Sequence, residues 1–263
     1  MLRFIACLVL ACGLAATPAG AASDGHPVDR FTLSEAADIS KRIERELAAR
    51  GVHAALVFRA GQPRDDLPEG QRYTHGSFWI YGPIEMAGGG TTYGYAVYSL
   101  YHGVFDQTRS RLAQDWPLDF VRGAAEDGFG IIIPTPQMQV RILDVIASDT
   151  YDALHQPAYS ALSNPGDPRF QNAEEFLLDV VASAAWLRTD RAQIKSNLRA
   201  YFAPAIVEMN GWERLMADWF DPRIDLDDQP GPVRIATFST IADFMLAFDL
   251  ASDVLEIEAA APD

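Results

Sequence analysis

The apolar positions change period along the chain, and each change marks an element. Leu33, Ala37, Ile43 and Leu47 recur at near-helical spacing, which predicts a helix over 34–50 with Ser34 as its N-cap and Gly51 as its stop. His53 to Arg59 is short, has Leu56–Val57–Phe58 at its centre, and reads as a strand. Tyr73 to Tyr81 and Tyr93 to Tyr101 alternate and are rich in aromatic residues; with Gly88–Gly89–Gly90 between them they predict an antiparallel hairpin. Ile131–Ile132–Ile133 reads as a short buried strand stopped by Pro134 and Pro136, and Met138 to Ile146 continues as a helix. Gln156 to Phe170 holds prolines and no strong period, so it reads as a loop. The clearest helix is 172–187, with Phe176, Leu177, Val180, Val181 and Ala184 along one side. Arg191 to Phe202 gives another helix, closed by Pro204. Asp221 to Pro232 is acidic and proline-containing, which predicts an exposed loop; Arg234 to Phe238 reads as a strand and Thr240 to Phe248 as a helix. Strands cluster in the first half and helices dominate the second, the signature of an α+β protein with a small antiparallel sheet packed against helices.

The N-terminus reads differently. Met1–Leu2–Arg3 is a short positive start, Phe4 to Ala16 is apolar and free of charge, and Ala19–Gly20–Ala21 is a small-x-small pattern. These features predict a signal peptide over 1–21 and a periplasmic or secreted protein. The apolar run is shorter than the ~20 residues of a permanent span. The remaining boundaries are a flexible leader over 22–32, one domain over 33–252 and an acidic tail over 253–263. Both cysteines, Cys7 and Cys12, fall in the export segment, so the exported chain is expected to hold no thiol and no disulfide. The formal net charge of −15 becomes one unit more negative when Arg3 leaves. Such a surface repels nucleic-acid phosphates and anionic lipid, so no nucleic-acid partner is expected.

Candidate chemistry gathers in two strings: Tyr73–Thr74–His75–Gly76–Ser77–Phe78–Trp79–Ile80–Tyr81, and Gln171–Asn172–Ala173–Glu174–Glu175–Phe176. In strand alternation His75 shares a face with Tyr73, Ser77 and Trp79. Asn172 and Glu175 fit an Asn-x-x-Glu capping arrangement at a helix start. A histidine strand followed about a hundred residues later by an Asn-led helix resembles the circularly permuted papain-like hydrolases, the NlpC-like amidases and lecithin:retinol acyltransferase relatives. Strings such as LPEGQRYTHGSFWIYG, GYAVYSLY, GIIIPTPQMQ, NAEEFLLDV and ATFSTIADF also resemble a proteobacterial exported family known only as a domain of unknown function. In that family the helix start reads Asn-Cys-x-Glu-Phe, so the resemblance places Ala173 where the nucleophile stands.

The position matters chemically. A thiol in the first turn of a helix meets the positive end of the macrodipole, which favours the thiolate. A histidine on a facing strand then takes the proton and returns it. Alanine supplies no nucleophile. The resemblance therefore implies a permuted papain-like fold with a vestigial site, in which His75 is the former base, Asp115 a candidate orienter, and Tyr73, Ser77, Trp79, Asn172 and Glu175 line the cleft. The plain alternative is a hydrogen-bonded strand histidine and an ordinary well-capped helix.

Other constellations are weaker. His155 and Ser160 lie in one loop, but no Gly-x-Ser-x-Gly elbow surrounds Ser160. Asp225–Leu226–Asp227–Asp228 lacks the glycine and distal Glu of an EF-hand loop, and no His-Glu-x-x-His is present, so no metal and no cofactor are expected. The expected function is non-catalytic binding of a peptide, cell-wall fragment, acyl group or other small molecule. The alternatives are an active hydrolase or acyltransferase using His75 with a non-cysteine nucleophile, and a structural protein of the envelope.

Overall fold

A computed structural model describes residues 30–67, 71–85, 89–209 and 221–258. Residues 1–21, where a signal peptide is expected, most of the expected leader, Gly88 and the last five residues lie outside them. Helix α1 (Leu33–Ala49) starts one residue earlier than its apolar spacing implied, because Thr32 rather than Ser34 is the N-cap. The Thr32 hydroxyl accepts from the Glu35 amide, and the Glu35 carboxylate accepts from the Thr32 amide, a reciprocal capping box. Its buried stripe of Ala36, Ile39, Ile43 and Leu47 lies on the sheet, and Gly51, at φ +65°, turns the chain into β1 (Ala54–Arg59).

The sheet has six antiparallel strands in the order β4-β3-β2-β1-β5-β8. Its members are β1, β2 (His75–Glu85), β3 (Thr91–His102), β4 (Ser110–Asp115), β5 (Phe129–Pro134) and β8 (Ala251–Ile257). The aromatic hairpin is β2–β3, with Ser77 opposite Ser99 and Trp79 opposite Val97. The small strands β6 (Ala205–Val207) and β7 (Val233–Ile235) form a separate pair. Every residue of β1 is buried, as expected of a central strand covered on both faces.

Two cores flank the sheet. On one face α1 and α2 (Pro117–Arg122) pack over Val57, Trp79, Val97 and Ile131. On the other, α3 (Pro136–Ile146), α4 (Asp149–Ala153), α5 (Ala173–Trp186), α6 (Arg191–Tyr201) and α7 (Phe238–Ala247) pack over Phe58, Phe78, Ile80 and Leu100. Gln139 of α3 ties helix to sheet: its side-chain oxygen accepts from His53 and Ala54 amides at 2.8 and 3.2 Å, and its amide donates to Pro134 O at 2.9 Å. The α+β expectation therefore holds, with the sheet sandwiched between helical layers.

Two boundaries move. The expected acidic tail, 253–263, begins inside a strand: 251–257 pairs Val254 with Ile132 and Leu255 with Ile131. The 221–232 segment is not a freely solvated loop. Asp228 and Gln229 are buried, and Gln229 donates to Leu162 O and Arg234 O at 2.7 and 2.9 Å. Among the described residues no helix is long and apolar enough to cross a membrane.

Candidate functional site

Strand alternation sends neighbouring residues to opposite faces. On β2 the odd residues His75, Ser77 and Trp79 face α1 and α2, whereas Gly76, Phe78 and Ile80 face α5. The His75 ring stacks on Tyr101 at 4.7 Å, nearly parallel, and lies 5.9 Å from Phe120 of α2. Arg59, opposite His75 on β1, lays its guanidinium over the same Phe120 at 5.2 Å. Ser77 and Ser99 hydroxyls meet at 2.5 Å, and Trp79 packs edge-on against Phe120 at 5.7 Å. Every one of these side chains is buried.

Asp115 belongs to this same face. Burial pushes the Tyr101 phenol well above its ordinary value; Arg59 opposes the shift and the negative Asp115 adds to it. So the fold brings His75 and the Asp115 neighbourhood together through Tyr101, with His75 and Tyr101 buried under α2 and Asp115 half-exposed on the edge strand. Tyr73 departs from the expected alternation. It precedes the first residue of β2 and packs on the opposite core, edge-on to Phe238 at 5.1 Å.

Ala173 opens α5, on the other side of the sheet. The Asn172 side chain caps the helix, accepting from the Glu175 amide at 2.9 Å and donating to Ala161 O at 2.9 Å. Its own amide donates to the Ser163 hydroxyl at 3.1 Å. The Glu175 carboxylate does not complete a capping box. It accepts instead from Lys195 Nζ of α6 at 2.5 Å, and Asp179 accepts from the same ammonium at 2.6 Å. Arg191 approaches both acids, at 3.3 and 3.4 Å, and Gln171 donates to Asp179 at 2.7 Å. Burial raises the Glu175 carboxyl, with Lys195 as the main opposing influence. His75 and Ala173 thus lie on opposite faces of the sheet, and the expected cleft between them is not formed.

The serine alternative also resolves. Ser160 is fully buried, donates to Asp225 O at 2.7 Å and accepts from the Asp225 amide at 3.1 Å, so it is a fastener between two loops. His155 meets Ser110 instead, with Nε2 at 2.9 Å from the hydroxyl. That hydroxyl is also within reach of Gln156 O and Pro157 O, which ties β4 to the 156–157 segment. Burial lowers the His155 pKa, partly offset by Asp152. Among the described residues no cluster of three or more His, Cys, Asp or Glu side chains is arranged to hold a metal.

The open concavity nearest α5's loops is a groove of about 530 Å³. Thr108, Arg109, Tyr159, Phe170, Ile224 and Asp225 line it, so it offers aromatic area with both signs of charge. Tyr159 also lies 5.5 Å from the ring of His102, the histidine that β3 directs to the α5 face. A second groove, of similar volume, is lined by Arg50, His53, Gln139 and Ser252.

Asp228 lies on the loop that borders the first groove. Its Oδ2 accepts from the Asn164 amide at 2.7 Å, and among the described residues its Oδ1 meets no partner. Burial pushes its pKa up to about 6, against an ordinary 3.8. The folded state thus binds this proton more tightly than the unfolded state. The stabilising contribution of protonation is complete below pH 3.8 and is lost as pH rises through about 6. Asp228→Asn, which does not titrate, should reduce the stability change between pH 4 and pH 7 by about 2 kcal/mol relative to the parent. Urea unfolding at both pH values measures it; parallel pH profiles for parent and variant would refute the assignment.

A family model described as "Uncharacterized protein conserved in bacteria (DUF2145)" matches residues 46–245, which cover most of both cores and five of the sheet's six strands. No curated protein and no solved structure gives a match.

Proposed function

The chain belongs to this conserved bacterial family, and we propose that it is an exported binding protein that carries out no thiol chemistry. The observation that carries the reading is the placement of His75 and Ala173 on opposite faces of the sheet, with His75 closed under α2. A base and a nucleophile position separated by a sheet cannot exchange a proton. Kinship with the permuted papain-like hydrolases rests on the order of the His75 strand and the Asn172-led helix. On this reading the ligand seat is the groove beside Tyr159 and Arg109, which suits a peptide, cell-wall or acyl ligand carrying a carboxylate. Arg109 supplies the charge, and Tyr159 and Phe170 supply contact area. Export rests on residues 1–21.

The test has two arms. Ala173→Cys is treated with a thiol-reactive acyl probe beside a variant bearing an exposed surface cysteine, and labelling no faster than that control is expected. Labelling ten-fold faster and abolished by His75→Ala would overturn the reading. In the second arm, peptidoglycan fragments and acylated peptides are titrated by calorimetry. Binding should weaken about ten-fold in Tyr159→Ala. Turnover of any of these ligands, or labelling of Ser110 by a fluorophosphonate, would replace binding with hydrolysis.

A further inference from the structure

Strand β4 is an edge of the six-stranded sheet, and its outer side is partly free. The hydrogen bonds show which residues point outward. Ser110 N–H donates to Pro157 O at 2.8 Å, and Tyr159 N–H donates to Thr108 O at 2.8 Å, so residues 108 and 110 direct their backbone groups away from β3. Gly103 N–H donates to Arg109 O at 2.7 Å, so 109 points inward. Alternation then turns the N–H and C=O of Leu112 and Gln114 outward. Among the described residues nothing bonds them.

Arg111, Ala113 and Asp115 are the inward-bonding residues, opposite Tyr101, Ser99 and Val97. Arg111 is exposed, with its guanidinium 5.8 Å from the Tyr101 ring, and Asp115 is half-exposed; neither forms an ion pair among the described residues. Four positions apart on an extended strand, they stand roughly 13 Å from each other and cannot pair within one chain. Trp116, just past the strand, is 41% exposed.

These facts select one occupant. We propose that β4 pairs antiparallel with β4 of a second copy of this chain about a two-fold axis through Ala113, joining the two sheets into one. In that register Leu112 lies opposite the partner copy's Gln114, and both have outward-pointing backbone groups. The pair exchanges both of its hydrogen bonds, and symmetry repeats the exchange. Ala113 meets its own copy at the centre, where a small side chain suits the close spacing of a non-hydrogen-bonded pair. Arg111 falls opposite Asp115 at both ends, again at non-hydrogen-bonded positions where side chains approach most closely. With the axis at Leu112, Asp115 would face Arg109 and Gln114 would face Ser110, but the 157–159 segment already bonds there; with the axis at Gln114, neither Arg111 nor Asp115 faces an opposite charge. Trp116 supplies an apolar contact at each end of the seam. The 157–158 segment, already bonded beside 108–110, bounds the pairing there.

The full-length exported chain is examined by light scattering and sedimentation at about 1–100 µM. A dimer is expected, weakening with added salt. Arg111→Asp and Asp115→Arg should each raise its dissociation constant at least about ten-fold, and the double swap should restore it to within about three-fold. Gln114→Pro removes an outward N–H and leaves the β3 ladder intact. It should give a monomer with circular dichroism like the parent's. A monomer at all concentrations overturns the proposal, even if the edge captures an added peptide. So does a dimer indifferent to all three changes.

Discussion

Lys195→Met should destabilise the protein by roughly 3–5 kcal/mol, the range seen when one partner of a buried ion pair is removed. Lys195 is 1% exposed, and its ammonium is the shared donor to Glu175 and Asp179, both fully buried on α5. Methionine fills the same space, so packing loss is small and the effect isolates the charge. Without the ammonium, two carboxylates face each other and, among the described residues, Arg191 alone, at longer range, is left to balance them. The sign of the pH dependence follows. Burial already raises Glu175 above its ordinary 4.5, so proton uptake favours the fold. Removing Lys195 takes away the main influence that lowers it, so the variant should lose stability more steeply than the parent as pH rises from 5 to 8. Replacing all three by neutral groups (Glu175→Gln, Asp179→Asn, Lys195→Met) should recover most of the loss, because the unbalanced charges are then gone. Urea unfolding of the variants at pH 5 and pH 8 gives both readouts. A loss under about 1 kcal/mol in Lys195→Met would mean that α5 and α6 are held by their apolar contacts alone.

That network shows what the sequence could and could not convey. Glu175 and Asp179 stand one turn apart on a helix whose other residues are almost all apolar, a pattern that demands a cation. Lys195 lies on the next helix, but its spacing from them carries no local signal. The aromatic hairpin and the 131–133 strand were legible because both faces are buried and the alternation or apolar run is strong. Strand β4, Ser110–Arg111–Leu112–Ala113–Gln114–Asp115, and strand β8, from Ala251 to Ile257, were not. Edge strands bury less and carry charges, so their pattern resembles a loop. At the candidate site, alternation put Ser77 and Trp79 beside His75, as found, and Asn172 at the cap of α5. What it could not supply was which face α5 covers, since apolar residues occupy both sides of β2. Tyr73 falls outside the alternation for a related reason: the strand begins at His75, so Tyr73 takes the other face.

Gly76→Val should destabilise by about 3 kcal/mol, the upper end of ordinary overpacking. Gly76 faces α5, and a β-carbon placed there would stand 2.5 Å from Leu177 Cδ1 and 2.7 Å from the Phe58 ring. Glycine therefore sets how closely α5 approaches the sheet, and the backbone itself, rather than a side chain, forms the floor under Leu177. Valine adds two methyl groups to that clash, and the flanking strands β1 and β3 leave β2 little room to shift. A double-mutant cycle identifies the neighbour. Leu177→Ala alone should cost about 2–5 kcal/mol by cavity formation. Combined with Gly76→Val it should cost at least 1 kcal/mol less than the sum, since the new methyl groups occupy the vacated space. Additive losses would place the clash elsewhere. The same cycle bears on function, because successive residues of a strand point to opposite faces. If Gly76 is what lies beneath α5, His75 is turned toward Tyr101 and Phe120 and away from Ala173. Coupling between 76 and 177 is thus energetic support for the separation of histidine and helix start on which the binding reading stands.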